Sequence, residues 1–127
     1  MTAPIGKQDH CQMKFPTLIP RFKHFLHGGD DNPDQWLKYP DVIDPDFRLM
    51  PLAGCNTFSI GIFAWSAIEP REDVFTFDWL DDIMDRLAAK DFRAVLATPS
   101  GAKPAWMSYG YPKIHRVTRD GRREPQA

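Results

Sequence analysis

The chain has 127 residues and a mass of 14.6 kDa, of which 43% are hydrophobic, 13% aromatic and 26% charged. This fits one globular domain around one core and excludes a disordered or fibrous chain. Sixteen Lys and Arg against seventeen Asp and Glu leave a net charge of -1, so no overall field selects nucleic acid or an anionic membrane as partner.

Two cysteines, Cys11 and Cys55, cannot build a disulfide framework or a four-cysteine zinc site. No apolar run approaches the roughly 20 residues of a membrane span. The first 30 residues carry Lys7, Lys14, Arg21 and Lys23 among prolines instead of a signal segment, and the expectation is a cytoplasmic protein.

Residues 1–12, MTAPIGKQDHCQ, are polar and aperiodic and read as a disordered extension, with the folded part over 13–127. Phe22 to Leu26 is mixed aromatic and aliphatic and stops at Gly28-Gly29-Asp30, which predicts a short buried strand meeting a turn. Asn32 stands where it can cap, and Pro33 where a helical turn can begin. From Asp44 the segment DPDFRLMPLAG predicts a helix of about three turns, with Asp44 as cap, Pro45 in the first turn and Gly54 as stop. Pro51 is discordant, because inside a helix it deletes a donor and clashes with the preceding turn.

The run TFSIGIFAW, Thr57 to Trp65, predicts a strand buried on both faces. Asp78 is expected to cap a helix in which Leu80, Ile83, Met84 and Leu87 form one apolar stripe against Asp81, Asp82, Asp85 and Arg86; core packing explains that stripe without a cofactor. RAVLATP predicts a third buried strand. Pro104 begins a short helical turn holding Trp106 and Met107, and Asp120-Gly121 marks a later turn. Strand starts about 35 residues apart have the spacing of βαβ units. The predicted class is therefore α/β, an incomplete (β/α)8 TIM barrel of about three parallel strands with two intervening helices on one side.

In such folds the carboxyl ends of strands face the ligand. That rule selects Asp30 and Asn32 after the first strand, Phe63, Trp65 and Glu69 after the second, and Thr98, Ser100 and Lys103 after the third. Aromatics beside carboxylates suit sugars, whose apolar faces stack on rings while their hydroxyls need polar partners. Structural roles compete at each position: Trp65 as packing over the barrel mouth, Asp30 as a turn brace, and Glu69 as a surface or loop brace.

Other chemistries lack their patterns. SGAKP is no phosphate-cradling loop. His24 and His27 fall on opposite faces of an extended segment and share no metal. Asp30, Asp31, Asn32 and Asp34 lack the glycine and closing glutamate of a calcium loop. The Gly-Arg-Arg cluster at 121–123 reads as a solvated turn.

The strings HFLHGGDxNPDQW, FRLMxLAGCNTFSIGIFAWSAIEP, FTFDWLDDIMDRLA, LATPSGAKPAWMS and YPKIxRV occur in this order between about Met13 and Arg123. Together they resemble the amino-terminal part of glycoside hydrolase family 42, the β-galactosidases. The resemblance implies a (β/α)8 barrel that removes terminal β-D-galactose with retention of configuration. It also implies a glutamate acid/base in an Asn-Glu pair after strand four and a glutamate nucleophile after strand seven.

Both positions are expected beyond Ala127, so no catalytic residue is expected in these 127 residues. The family's substrate-holding arginine follows the DGR turn, and its role is not transferred to Arg122 or Arg123. Asp30, Asn32, Phe63 and Trp65 match motif positions near the pocket floor and are implied as pocket wall. No metal and no cofactor is expected. The partner is a galactoside, with neither nucleic acid nor membrane, and full-length family members are implied to be homo-oligomers.

Asp31 stands where the family usually has an aromatic, and Pro51 where a charged residue is usual. With the stop at Ala127 these departures suggest a truncated gene copy, with a complementing downstream fragment as a possible partner. Met13 rivals Met1 as initiator. The rival functional reading is a non-catalytic remnant that binds a galactoside or a partner chain.

Overall fold

The structure, a computed structural model, describes residues 19–22 and 24–124; the expectations for residues 1–12 and for Met13 lie outside them. Three strands, β1 (Gly28–Asp31), β2 (Thr57–Ile60) and β3 (Arg93–Leu96), form a parallel sheet in sequential order. Gly28, Thr57 and Arg93 are aligned at one end, and Asp31, Ile60 and Leu96 at the other. Helix α1 (Pro40–Leu52) joins β1 to β2, and α2 (Trp65–Ile68) and α3 (Asp78–Ala89) lie between β2 and β3. Beyond β3 come α4 (Ala105–Gly110) and a small antiparallel pair, β4 (Arg116–Val117) with β5 (Arg123–Glu124).

The core lies on one face of the sheet. Phe58 and Ile60, two residues apart and therefore on the same side of β2, pack with Phe47 and Met50 of α1 and with Leu80, Ile83 and Leu87 of α3. Both long helices thus cover the same side, as expected for a sheet curling into a barrel. Among the described residues no helix is long and apolar enough to cross a membrane.

Several expectations shift. The first strand is Gly28–Asp31 rather than Phe22 to Leu26, and Phe25 is 86% exposed. The two glycines are not a turn: a Cβ on Gly28 would stand 1.7 Å from Thr57 O, so β1 approaches β2 at a distance only glycine allows. Helix α1 begins at Pro40, not after Asp44, since a proline suits the first helical position in either frame. Asp44 is instead inside the helix and accepts a 2.7 Å hydrogen bond from Arg86 of α3, whose guanidinium also lies 4.1 Å from the centre of the Phe47 ring. Pro51 falls one residue before the end of α1, so the helical hydrogen bond it deletes lies at the end of the helix and not in its middle. Gly54 ends the helix at φ +72, with Cys55 N–H bonded to Met50 O and Gly54 N–H to Pro51 O, a Schellman stop.

The long apolar run after Asn56 is strand only to Ile60; Gly61, at φ +80, turns the chain and Trp65 starts α2. The third strand is not buried: Val95 and Leu96 are 56% and 55% exposed, because β3 is an edge of the sheet among the described residues. Asp78 is the first residue of α3 and Phe77 occupies the cap position; Asp78 and Asp81 then oppose the positive end of the helix dipole.

Asn56 ties the two halves of the β1–β2 pair together. Its Oδ1 accepts His27 N–H at 2.9 Å, and its Nδ2 donates to Phe25 O at 2.8 Å. Asn56→Ala is expected to cost about 1–3 kcal/mol, measured by urea unfolding, whereas a loss under about 0.5 kcal/mol would show that water replaces both bonds.

Candidate functional site

Because the strands are parallel and in register, the segments leaving β2 and β3 gather at one end of the sheet. There a cavity of about 460 Å³ opens, lined by Trp65 and Glu69 of the β2 segment, Phe75 and Phe77 of the following loop, and Thr98 and Ser100 after β3. The Phe75 and Phe77 rings stack with centroids 5.9 Å apart and planes 1° from parallel. The lining is largely aromatic and apolar with few polar groups, the ordinary character of a small-molecule pocket.

Glu69 organises this wall. It is buried; its Oε2 accepts the Trp65 indole N–H at 2.8 Å and its Oε1 accepts the Asp73 N–H at 3.1 Å. Its backbone carbonyl accepts the Trp106 indole N–H at 2.9 Å, which brings α4 against the loop. The same loop is pinned by Thr76, whose N–H and Oγ1 donate to Ile68 O and Ala67 O at 2.8 and 2.6 Å. The Tyr111 hydroxyl donates to Glu72, a bond to the neutral phenol that raises the Tyr111 pKa above its ordinary value. Glu69 is therefore a loop brace, as the sequence suggests, but a buried one.

The four residues implied as pocket wall do not converge. Trp65 lines the cavity. Phe63 is half exposed and lies near Gly101 after β3. Asp30 shares its sheet face with Ser59 and Val95 by register, and with Asp31 and Asp46 it borders a separate depression of about 390 Å³. Asn32 holds the cap position of the 3-10 turn Pro33–Trp36 without capping it, and its buried Oδ1 has no hydrogen-bond partner. Thr98 and Ser100 join Trp65, while Lys103 is outside the lining. His27 Nδ1 is within 3.2 Å of Gly54 O, and among the described residues no three His, Cys, Asp or Glu side chains are grouped to hold a metal.

Sequence reasoning passed over Asp31 as a titrating group. Burial, then the nearby carboxylates of Asp46 and Asp34, push its pKa above the ordinary 3.8, and burial raises Asp34 as well. A raised carboxyl binds its proton more tightly in the folded chain than in the unfolded one. Stability therefore falls as pH rises from about 3.8 through the higher folded value, and the deficit persists at neutral pH. Asp31→Asn is expected to stabilise the chain at pH 7 by less than about 1 kcal/mol after solvent screening and to flatten that decline. Denaturant midpoints at pH 3.5 and pH 7 test it, and an unchanged difference between them would sink it.

The chain resembles known proteins over most of its length. The family profile of glycoside hydrolase family 42, described as beta-galactosidase, matches residues 30–127. Beta-galactosidase BglY of Alicyclobacillus acidocaldarius is 54% identical over 110 residues, 87% of this chain and 16% of that protein. Beta-galactosidase GanA of Bacillus subtilis is 60% identical over 92 residues, 72% of this chain and 14% of that protein.

Among solved structures, the beta-galactosidase from Rahnella sp. R3 aligns with a TM-score of 0.83 at 49% identity, covering 89% of this chain and 17% of that one. Gan42B, a family 42 beta-galactosidase from G. stearothermophilus, aligns with a TM-score of 0.77 at 51% identity, covering 80% and 15%. The chain spans about one-sixth of the length of these relatives.

Proposed function

The chain belongs to glycoside hydrolase family 42, the β-galactosidases, and from that premise we propose that residues 13–127 supply the first three strand–helix units of a (β/α)8 barrel hydrolysing terminal β-D-galactose from galactosides. The observation that carries this reading is the agreement of long sequence identity with fold. The chain is 54% identical to one β-galactosidase over 110 residues and aligns at a TM-score of 0.83 with another.

In this reading the galactoside sits over the carboxyl ends of the strands. Trp65 and Phe63 offer ring faces to the apolar side of the sugar, and Asp30 and Asn32 offer acceptors to its hydroxyls. The unpartnered, buried Oδ1 of Asn32 is the kind of acceptor that a bound hydroxyl would satisfy.

Retaining hydrolysis needs two carboxyl groups about 5 to 5.5 Å apart, one to protonate the leaving oxygen and one to attack the anomeric carbon, with water completing the reaction. The sequence holds three glutamates, Glu69, Glu72 and Glu124. Each is engaged: Glu69 by Trp65 and Asp73, Glu72 by Tyr111, and Glu124 by Arg116. None follows an asparagine. The family resemblance implies the acid/base and the nucleophile on later barrel units, and in this reading the role of this part is to shape the pocket.

The test is complementation. Purified residues 1–127 are expected to hydrolyse nitrophenyl β-D-galactopyranoside no faster than buffer, since general acid assistance alone is worth roughly 10² to 10⁴ in rate. Co-expression with BglY from which the matching segment has been deleted should restore turnover. A restored assembly with no activity beside an active intact BglY would reject the reading, and so would turnover by the isolated chain.

A further inference from the structure

We infer that Glu69 is a positioning residue: its carboxylate fixes the indole of Trp65 as a wall of the strand-end cavity. The inference rests on the galactoside reading for the ligand it serves, and on the geometry of this chain for the link itself.

Helix α2 is a single turn, too short to hold a large side chain in place through its own backbone. Trp65 opens that turn and Glu69 follows it, so the two side chains stack at the i and i+4 spacing. Glu69 is buried and both of its oxygens are used: Oε2 by the Trp65 indole N–H and Oε1 by the Asp73 main-chain N–H. One carboxylate thus couples the indole to the loop that presents Phe75 and Phe77 across the cavity. Trp106 reaches the same residue through the Glu69 backbone carbonyl, which no side-chain substitution removes.

That division makes the inference separable from simple stability. The four tryptophans have four different indole environments. Trp36 is exposed, Trp65 donates to the Glu69 carboxylate, Trp79 has a buried indole N–H without a partner, and Trp106 donates to the Glu69 carbonyl. A ¹⁵N-labelled full-length chain therefore reports each one independently by its indole resonance.

In the unaltered chain the Trp65 indole proton is expected to exchange with solvent at least tenfold more slowly than that of Trp36; equal rates overturn the inference without any variant. Glu69→Met keeps an unbranched side chain but has no acceptor pair. It should speed exchange of the Trp65 indole and the Asp73 amide by about tenfold while leaving Trp106 within about twofold. Glu69→Gln keeps one acceptor and should restore protection at one of the two sites. Unchanged Trp65 exchange in Glu69→Met, or equal loss at Trp65 and Trp106, rejects the positioning role in favour of a general structural one.

Titration with methyl β-D-galactopyranoside separates the two readings. A shift of the Trp65 resonance in the unaltered chain, with at least fivefold weaker binding in Glu69→Met, supports both. No shift in the unaltered chain counts against Trp65 as sugar wall, and so against any sugar-positioning role, whatever the exchange rates show of the Glu69 link.

Discussion

Gly28→Ala is expected to detach β1 from the sheet. The added Cβ would fall 1.7 Å from Thr57 O and 2.8 Å from Thr57 C, both atoms of the main chain on the neighbouring strand. No rotamer relieves a clash between two backbones in register, so the strands must separate or slip. Slipping by one residue would move every side chain of β1 to the opposite face. The cost should exceed about 4 kcal/mol, a size reached by few point substitutions and comparable to the whole stability of a small domain.

Gly29→Ala is the internal control. A Cβ there meets nothing within 4 Å, and the change should fall within about 1 kcal/mol of neutral, since a less flexible unfolded chain offsets any small strain. Urea unfolding followed by circular dichroism reads both. Similar losses for the two variants would mean that the close approach at Gly28 does not set the pairing.

Ile60→Ala should produce the second largest loss, about 2–5 kcal/mol. Ile60 is fully buried at the centre of the core that α1 and α3 build on the sheet. Its neighbours are fixed to two helices and the strand, so they cannot collapse into the space left behind, and the cavity adds to the lost transfer energy. Val95→Ala removes less buried surface from a residue that is more than half exposed, and should cost below about 1 kcal/mol. A reversed order would place the core on the other face of the sheet.

The fold was legible wherever periodicity carried it. Leu80, Ile83 and Leu87 mark a 3.6-residue stripe that no strand could use, and all three are buried. The elements misplaced in the sequence share one cause: glycine and proline each signal more than one thing. Gly28 reads as a turn but serves close strand approach. Pro40 and Pro45 both suit a helix start, and the helix begins at Pro40. Gly61 ends β2 inside an apolar run whose composition continues as strand.

The site was legible only in part. The carboxyl-end rule found Trp65, Glu69, Thr98 and Ser100 on one cavity, because parallel topology dictates that grouping. It also selected Asp30, which the register turns toward the face of Ser59 and Val95. The Trp106 bond to Glu69 joins residues 37 positions apart, and the Asp46 carboxylate that adds to the burial in raising Asp31 is on α1. Neither has a local signal, since both arise from how separate elements meet.

The sequential strand order bears on how this polypeptide is made. Residue 57 docks against residue 28 and residue 93 against residue 57, so each strand's partner has already left the ribosome when the strand itself emerges. At about 5–20 residues per second, successive units arrive roughly 2 to 7 s apart, which is long compared with helix formation and hydrophobic collapse. The growing chain can therefore lay down β1, β2 and β3 vectorially, each on the free edge of the last. Synonymous codons that slow translation after residue 60 would therefore be expected to leave the soluble yield unchanged.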